Sequence, residues 1–330
     1  HRAWYAPRPP LALWLLLPLH ALFVFLSGCR RLAYRCGVWR TVRLPVPVVV
    51  VGNLVVGGTG KTPLVLWLAE QLQQRGRHPG ILSRGYGGAG TGVRAVGPDA
   101  AASEVGDEPL LLARRSGLPV WVGADRVAAG KALLAAHPEV DVLISDDGLQ
   151  HYRLARDAEI VVFDGRGAGN GWRLPLGPLR EPLSRLDSVS ALVFNGVADE
   201  VVQVVVPRFV LHLAPGDCYR LDDADITCPP RALAGRVLHA VAGIGHPDRF
   251  FASLRALGLD FEAHAFADHY TYSAADLDFG PGAVVLMTEK DAVKCAGLTR
   301  AEVWVLPVRA QVSPALADLV VEILNGRQTA

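Results

Sequence analysis

Pro47 to Pro63 reads PVVVVGNLVVGGTGKTP, an apolar strand that empties into a glycine-rich loop ending in Gly60-Lys61-Thr62. Apolar residues at helical spacing follow it, at Leu64, Leu66, Leu68, Ala69 and Leu72. Strand, glycine turn and helix in that order make a phosphate cradle. The glycines let the backbone turn tightly and aim several N–H groups at one anion, the helix N-terminus adds positive partial charge, and a lysine supplies a mobile cation. Gly57, Gly58, Thr59, Gly60, Lys61 and Thr62 are the expected nucleotide-binding residues, with the Thr62 hydroxyl placed to complete a Mg²⁺ shell. Against the pattern G-x-x-x-x-G-K-[ST] the first glycine falls at Val55, so the strict match fails there. The plain alternative is a glycine-rich turn with a chance lysine.

A second apolar strand, Val140 to Ser145, runs into Asp146-Asp147-Gly148-Leu149-Gln150-His151. In nucleotide-binding proteins built around such a loop, an acidic residue ending a second strand holds Mg²⁺ beside the loop hydroxyl, and Asp146 and Asp147 suit that role. An ordinary acidic strand-to-helix turn is the competing reading. Gly106-Asp107-Glu108-Pro109 opens an apolar helix, where helix capping explains both acids and proton acceptance from an attacking hydroxyl is the alternative for one of them. Arg84, in Ser83-Arg84-Gly85-Tyr86-Gly87-Gly88, suits a phosphate or sugar as well as it suits a solvated turn. The charged pair Arg180-Glu181 lies between Pro178 and Pro182, which implies a rigid loop. In Thr288-Glu289-Lys290-Asp291 the lysine and aspartate are adjacent, and that spacing argues against a guanine-selecting switch.

The chain alternates short β-rich runs with helical stretches, the pattern of an α/β fold with a parallel sheet. Strands are expected at Val46 to Val51, Pro79 to Ser83, Pro119 to Val122, Val140 to Ser145, Glu159 to Phe163 and Ala191 to Phe194. The texture changes near Val201 to Leu213, and a second alternation starts at about Arg236. The expected organisation is an N-terminal helical segment at 1–40, a nucleotide-binding α/β domain at 41–205, a linker ribbon at 206–235 and a smaller α/β domain at 236–330. Two lobes imply a cleft that closes around substrate. With 33 basic and 32 acidic residues, nothing global points to nucleic acid. Five scattered cysteines outside C-x-x-C spacing indicate neither a disulfide framework nor a zinc site, consistent with a reducing cytosol.

Leu11 to Leu26, LALWLLLPLHALFVFL, is roughly 16 residues, short of the ~20 that a spanning helix needs. Three readings compete: an export signal, a buried core helix, and an interfacial helix on the cytoplasmic leaflet. Arg30-Arg31 directly after the run oppose translocation, and Trp4, Tyr5, Trp14, Tyr34 and Trp39 near its ends suit an interface. The interfacial reading is preferred.

Taken together, the apolar N-terminal helix, GNLVVGGTGKTP, SRGYGG, GDEP, GADR, SDDGLQH, GPLREP, ADHY and TEKDAVK resemble, in that order and across essentially the whole chain, the tetraacyldisaccharide 4'-kinases of lipid A biosynthesis. The resemblance implies a fold resembling P-loop NTPases and phosphoryl transfer from ATP to the 4'-hydroxyl of lipid A disaccharide 1-phosphate. It places that reaction at the cytoplasmic face of a bacterial inner membrane, with neither nucleic acid nor an obligate protein partner. It implies that Lys61 and Thr62 hold the β- and γ-phosphates and Mg²⁺, that Asp146 and Asp147 complete the metal environment, and that Asp107 takes the hydroxyl proton with His269 orienting or tuning it. Arg126, Gln150, His151, Arg180 and Glu181 become further active-site or lipid-phosphate contacts. A membrane-bound regulatory NTPase shares the loop and differs in having no lipid acceptor.

Overall fold

The valine run forms β1, Val48–Gly52, every residue of it buried. Such a continuously apolar strand belongs in the middle of a parallel sheet covered on both faces. The computed structural model describes residues 2–6, 10–196, 205–298 and 301–328. The first lobe continues with β2 (Pro79–Ser83), the two-residue β3 (Arg94–Ala95), β4 (Val120–Val122), β5 (Val142–Asp146), β6 (Ala158–Asp164), β7 (Ala191–Asn195) and β8 (Arg208–Pro215). The second lobe holds β9 (Cys218–Arg220), β10 (Thr227–Cys228), β11 (Leu238–Ala242), β12 (Glu262–Ala265), β13 (Val284–Thr288) and β14 (Glu302–Leu306), after which β15 (Val308–Val312) returns to the first. The helices are α1 (Leu17–Arg35), α2 (Lys61–Gln74), α3 (Ala102–Val105), α4 (Asp107–Ser116), α5 (Arg126–Ala136), α6 (Pro247–Ala256), α7 (Glu289–Cys295) and α8 (Ala315–Gln328).

The first sheet is ordered β15-β8-β7-β6-β1-β5-β2-β4-β3, parallel except at its two ends. The chain leaves β1 toward β2 on one side and later places β6 on the other, so the strand order reverses at β1. Ligands of open α/β sheets bind at such a switch point, outside the carboxyl ends of the strands. Because β1, β5, β6 and β7 run parallel, the residues that end them come out on one edge: Asp146, paired in register with Val51, then Asp164 and Asn195. Apolar side chains cover both faces, with Leu64, Leu68 and Leu72 of α2 on one and Leu133 of α5 on the other.

The second sheet is ordered β10-β9-β14-β13-β11-β12 and is likewise packed on both faces. Its parallel strands aim the loops after β11, β12 and β13 at the first lobe, and α7 packs against α4. The expected boundaries need correction here. Arg208–Pro215 is a strand of the first sheet, where the linker 206–235 was expected, and β15 pairs with it antiparallel. Residues of α8, Leu316, Val320 and Leu324, belong to the core of the first lobe, so the end of the expected 236–330 domain lies there. Residues 201–204 of the expected change in texture fall outside the described residues.

The apolar N-terminal run is a 3-10 turn, Leu11–Leu16, continuing into α1, so the helix reaches Arg35 and exceeds the expected Leu26. No residue of α1 is buried, which rejects the core-helix reading. Leu15 is 82% exposed, and Leu19, Leu22, Phe25, Leu26 and Leu32 are also exposed. An exposed apolar patch of this kind marks an interaction surface. One side is tethered: His20 Nδ1 lies 2.9 Å from the Arg173 carbonyl, Trp14 packs edge-on to Trp172, and Arg30 donates to the Gln150 carbonyl at 3.2 Å.

Candidate active site

The loop after β1 is built as the sequence implies, and its departure at Val55 has a structural cause. Val55 is fully buried and forms an antiparallel bridge with Leu179, while Val56 N–H donates to the Pro178 carbonyl at 2.9 Å and Arg180 N–H to the Leu54 carbonyl at 2.7 Å. This position is therefore an extended core residue, and a valine is well suited to it. The glycines are needed further on. Gly60 has φ of 94°, and a Cβ there would sit 2.6 Å from Asn195 Nδ2. Three polar side chains hold the loop open: Asn53 donates to the Gly57 carbonyl at 3.0 Å, Arg166 to the Gly58 carbonyl at 3.1 Å, and Asn195 to the Thr59 carbonyl at 3.1 Å.

Lys61 then opens α2, and its ammonium lies 3.5 Å from Asp147 Oδ1. Asp147 adopts φ of 48°, a left-handed conformation uncommon outside glycine, and its other oxygen meets Arg180 at 3.2 Å. Burial alone would raise the Asp147 pKa, but Lys61 and Arg180 outweigh it and hold the carboxyl below its ordinary value. Asp146 is the opposite case. It is 2% exposed, its Oδ1 has no hydrogen-bond partner among the described residues, and burial followed by the Glu108 charge pushes its pKa up to about 7. A buried, unpartnered carboxylate is costly, and a cation placed against it offsets that cost.

Arg126, 3% exposed, is a support for this edge. It donates to the Gly123 carbonyl at 2.8 Å and the Asp146 carbonyl at 3.1 Å, and burial pulls its pKa down to about 10. Gln150 donates to Glu181 at 2.9 Å and accepts from Arg180 at 3.3 Å, and Tyr152 donates to the second Glu181 oxygen at 2.5 Å. His151 is set apart. It does not line the cleft, its Nε2 is buried without a partner among the described residues, and burial lowers its pKa to about 4. Arg84 is exposed and lines the cleft.

The second lobe contributes His269, with φ of 60° in the loop after β12. Its Nδ1 lies 2.9 and 3.1 Å from the two oxygens of Asp107, the first residue of α4. Gly106 is the cap residue, so Asp107 does not cap α4 as its position in the sequence suggests. Its Oδ1 accepts from the Glu108 N–H at 2.8 Å while the carboxylate also holds the imidazole. Burial alone would raise the Asp107 pKa, but the His269 hydrogen bond and the Lys290 charge lower it below the ordinary value. The bond to Asp107 in turn raises the His269 pKa above 6.5. Asp107 is 4% exposed and lies behind the ring, and His269 is the member of the pair that lines the cleft.

Most of these side chains line a cavity of about 960 Å³ between the lobes, with Asp107 behind His269 and His151 outside it. Lys61, Asp146, His269 and Lys290 line it, and so do Phe23, Leu26, Arg30 and Arg31 of the uncovered N-terminal helix. A sequence profile described as Tetraacyldisaccharide-1-P 4'-kinase matches residues 12–325. The chain belongs to that family.

Close relatives agree. The tetraacyldisaccharide 4'-kinase of Dechloromonas aromatica is 58% identical over 332 residues, covering 100% of this chain and 98% of its own length. That of Azoarcus sp. is 52% identical over 330 residues, covering 99% and 96%. A crystal structure of LpxK from Aquifex aeolicus in complex with ATP superposes with a TM-score of 0.81 at 32% identity, covering 95% of this chain and 100% of that one. The protein is therefore a kinase that phosphorylates the 4'-hydroxyl of a tetraacyldisaccharide 1-phosphate, and a regulatory NTPase without a lipid acceptor is not favoured.

Several charged residues that join the two lobes around the cleft do not stand out in the sequence. Lys290 bridges the lobes, 3.0 Å from Glu108 and 3.3 Å from Asp268, and these carboxylates with Asp107 raise its pKa despite burial. Asp164, 1% exposed at the end of β6, joins Arg166 of the first lobe at 2.8 Å to Arg249 of the second at 3.1 Å. The available signals were the TEKD run and the charged residue closing an apolar strand. In TEKD, Asp291 is structural: it accepts from Tyr272, from Thr288 and from the Gly243 N–H, while Thr288, Glu289 and Lys290 line the cleft.

Proposed function

We propose that this chain carries out its family's reaction by binding ATP on the loop Gly57 to Thr62 and receiving the disaccharide from the side of the N-terminal helix. The observation that carries this reading is the shared cavity, in which a phosphate loop and an apolar, arginine-bearing helix face the same space. Phosphoryl transfer asks a protein mainly for positioning and charge stabilisation. Lys61 is placed to neutralise charge on the transferred phosphoryl group. Arg180 holds Asp147 and Gln150 beside the loop, with Arg84 and Arg126 adding positive charge along the cleft wall.

Asp107 and His269 act as one base. The hydroxyl proton passes to the pair, whose ring edge faces the cleft and whose carboxylate stabilises the imidazolium that results. Asp146 and Thr62 fit a magnesium ion, a hard cation that favours oxygen ligands, because the Asp146 Oδ1, without a hydrogen-bond partner among the described residues, is buried beside the loop. When bound, that ion would neutralise charge on the β- and γ-phosphates. Asp147 is already engaged by Lys61 and Arg180, so Asp146 is the stronger candidate ligand.

Labelled γ-phosphate is expected to appear in lipid only when the disaccharide acceptor is present; ATP hydrolysis independent of the acceptor would overturn this reading. The base must be unprotonated to act, and His269 has a raised pKa, so the rate should fall as pH drops through a value above 6.5. In His269→Ala the rate should be lower and the acid limb should move toward the carboxylate range. An unchanged rate and profile would reject the pair.

The exposed helix anchors the protein at the cytoplasmic face of the inner membrane, where the acceptor's acyl chains can stay in the bilayer. Deleting residues 1–35 is expected to release the protein from sedimenting vesicles of inner-membrane lipid. Continued sedimentation would assign the attachment to another surface.

A further inference from the structure

The second lobe carries a side-chain cluster that the kinase reaction does not use. His239 lies on β11 and Glu262 and His264 on its parallel neighbour β12, with His239 paired to Glu262 and Val241 to His264. Side chains two apart on a strand share a face, so Glu262 and His264 project together, beside His239. His239 Nδ1 is 3.0 Å from His264 Nε2, and Glu262 oxygens lie 3.7 Å from the first nitrogen and 3.8 Å from the second. Among the described residues this is the one group of three histidine, cysteine or acidic side chains whose ligand atoms all fall within 4.8 Å of one another.

We propose that His239, Glu262 and His264 bind a divalent transition metal of the zinc class, which clips the edge strand β12 to β11. Zinc takes imidazole nitrogen and carboxylate oxygen at about 2.0–2.2 Å, so two ligands of a tetrahedral ion stand about 3.3–3.5 Å apart. The three observed separations bracket that range, and small side-chain rotations suffice. Two nitrogens with one carboxylate suit zinc and its borderline neighbours, whereas magnesium takes oxygen ligands.

The surroundings support the same ligand. Without metal, one ring nitrogen donates its proton to the other; with metal, both coordinating nitrogens are bare and each ring keeps its proton on its second nitrogen. Phe279 stacks on His239 with centroids 4.2 Å apart and lies 4.3 Å from His264, fixing both ring planes. His239 is 8% exposed and Glu262 is largely open, so the fourth position faces solvent and takes water.

The test titrates zinc into the full-length protein at pH 7 with excess magnesium present, reading affinity by competition with a chromophoric chelator and melting temperature in parallel. Cobalt(II) in place of zinc reports coordination through its visible absorption. The parent protein is expected to bind zinc with a rise in melting temperature, and His264→Ala and Glu262→Gln are each expected to lose about 10-fold or more in affinity. Glu262 is exposed and His264 only partly buried on an edge strand, so these substitutions test the site even if His239→Ala fails to fold. Equal zinc affinity in the parent and both variants would place the metal elsewhere, and a parent that binds no zinc would reduce the cluster to a hydrogen-bonded pair. Either result overturns the proposal.

Discussion

Replacing Asp107 by asparagine is expected to lower kcat for phosphate transfer to the disaccharide by about 10²–10⁴-fold, the usual contribution of a general base. The substitution keeps the shape of the side chain and an oxygen for the Glu108 N–H, so helix α4 should still start where it does. It removes the charge that holds the His269 imidazolium, and with it the means of storing the hydroxyl proton. Circular dichroism and ATP affinity should be little changed, because Asp107 lies behind His269 and does not line the nucleotide loop. A variant as fast as the parent would remove Asp107 from the chemistry.

Lys61→Ala is expected to cost about 10²–10³-fold in kcat, comparable with the loss of one preorganised donor to a developing negative charge. The ammonium is largely enclosed, and among the described residues its one ion pair is the 3.5 Å approach to Asp147. It is thus free to move to a phosphate. Arg180 still holds Asp147 at 3.2 Å when the lysine is gone, so the strained turn after β5 should survive. Measuring kcat and ATP affinity separately distinguishes the roles. A loss confined to affinity would make Lys61 a binding group with no part in stabilising the transferring phosphoryl group.

Much of this site was legible in the sequence because its parts are local. A strand, a glycine turn and Gly60-Lys61-Thr62 lie within one short segment, and Asp146 ends an apolar run whose periodicity shows where the strand stops. The parts that join the lobes were harder to read. Lys290 is separated from Glu108, and Arg249 from Asp164, by long stretches of chain, and each reads alone as an ordinary surface charge. His151 shows the converse: it sits beside Gln150 in the same motif, yet the turn carries its ring away from the cavity.

The domain boundaries show the same limit. The strand at Arg208–Pro215 and the returning strand at Val308–Val312 read as a linker and as part of a separate lobe, because no local pattern says which sheet a strand will join. The metal cluster was equally hidden, since His239 becomes the neighbour of Glu262 and His264 only through the pairing of β11 with β12.

The sequence by itself determined the α/β class, the phosphate loop, the acidic strand end and the apolar N-terminal helix, because each rests on side-chain period or backbone freedom within a few residues. Tertiary structure decided that Asp147 is neutralised while Asp146 is left bare, that His269 covers Asp107, and that the helix at the N-terminus shares a cavity with the loop. Those outcomes depend on distances between groups far apart in the chain. Parallel strands that end on common edges, in two sheets facing one cleft, create those distances.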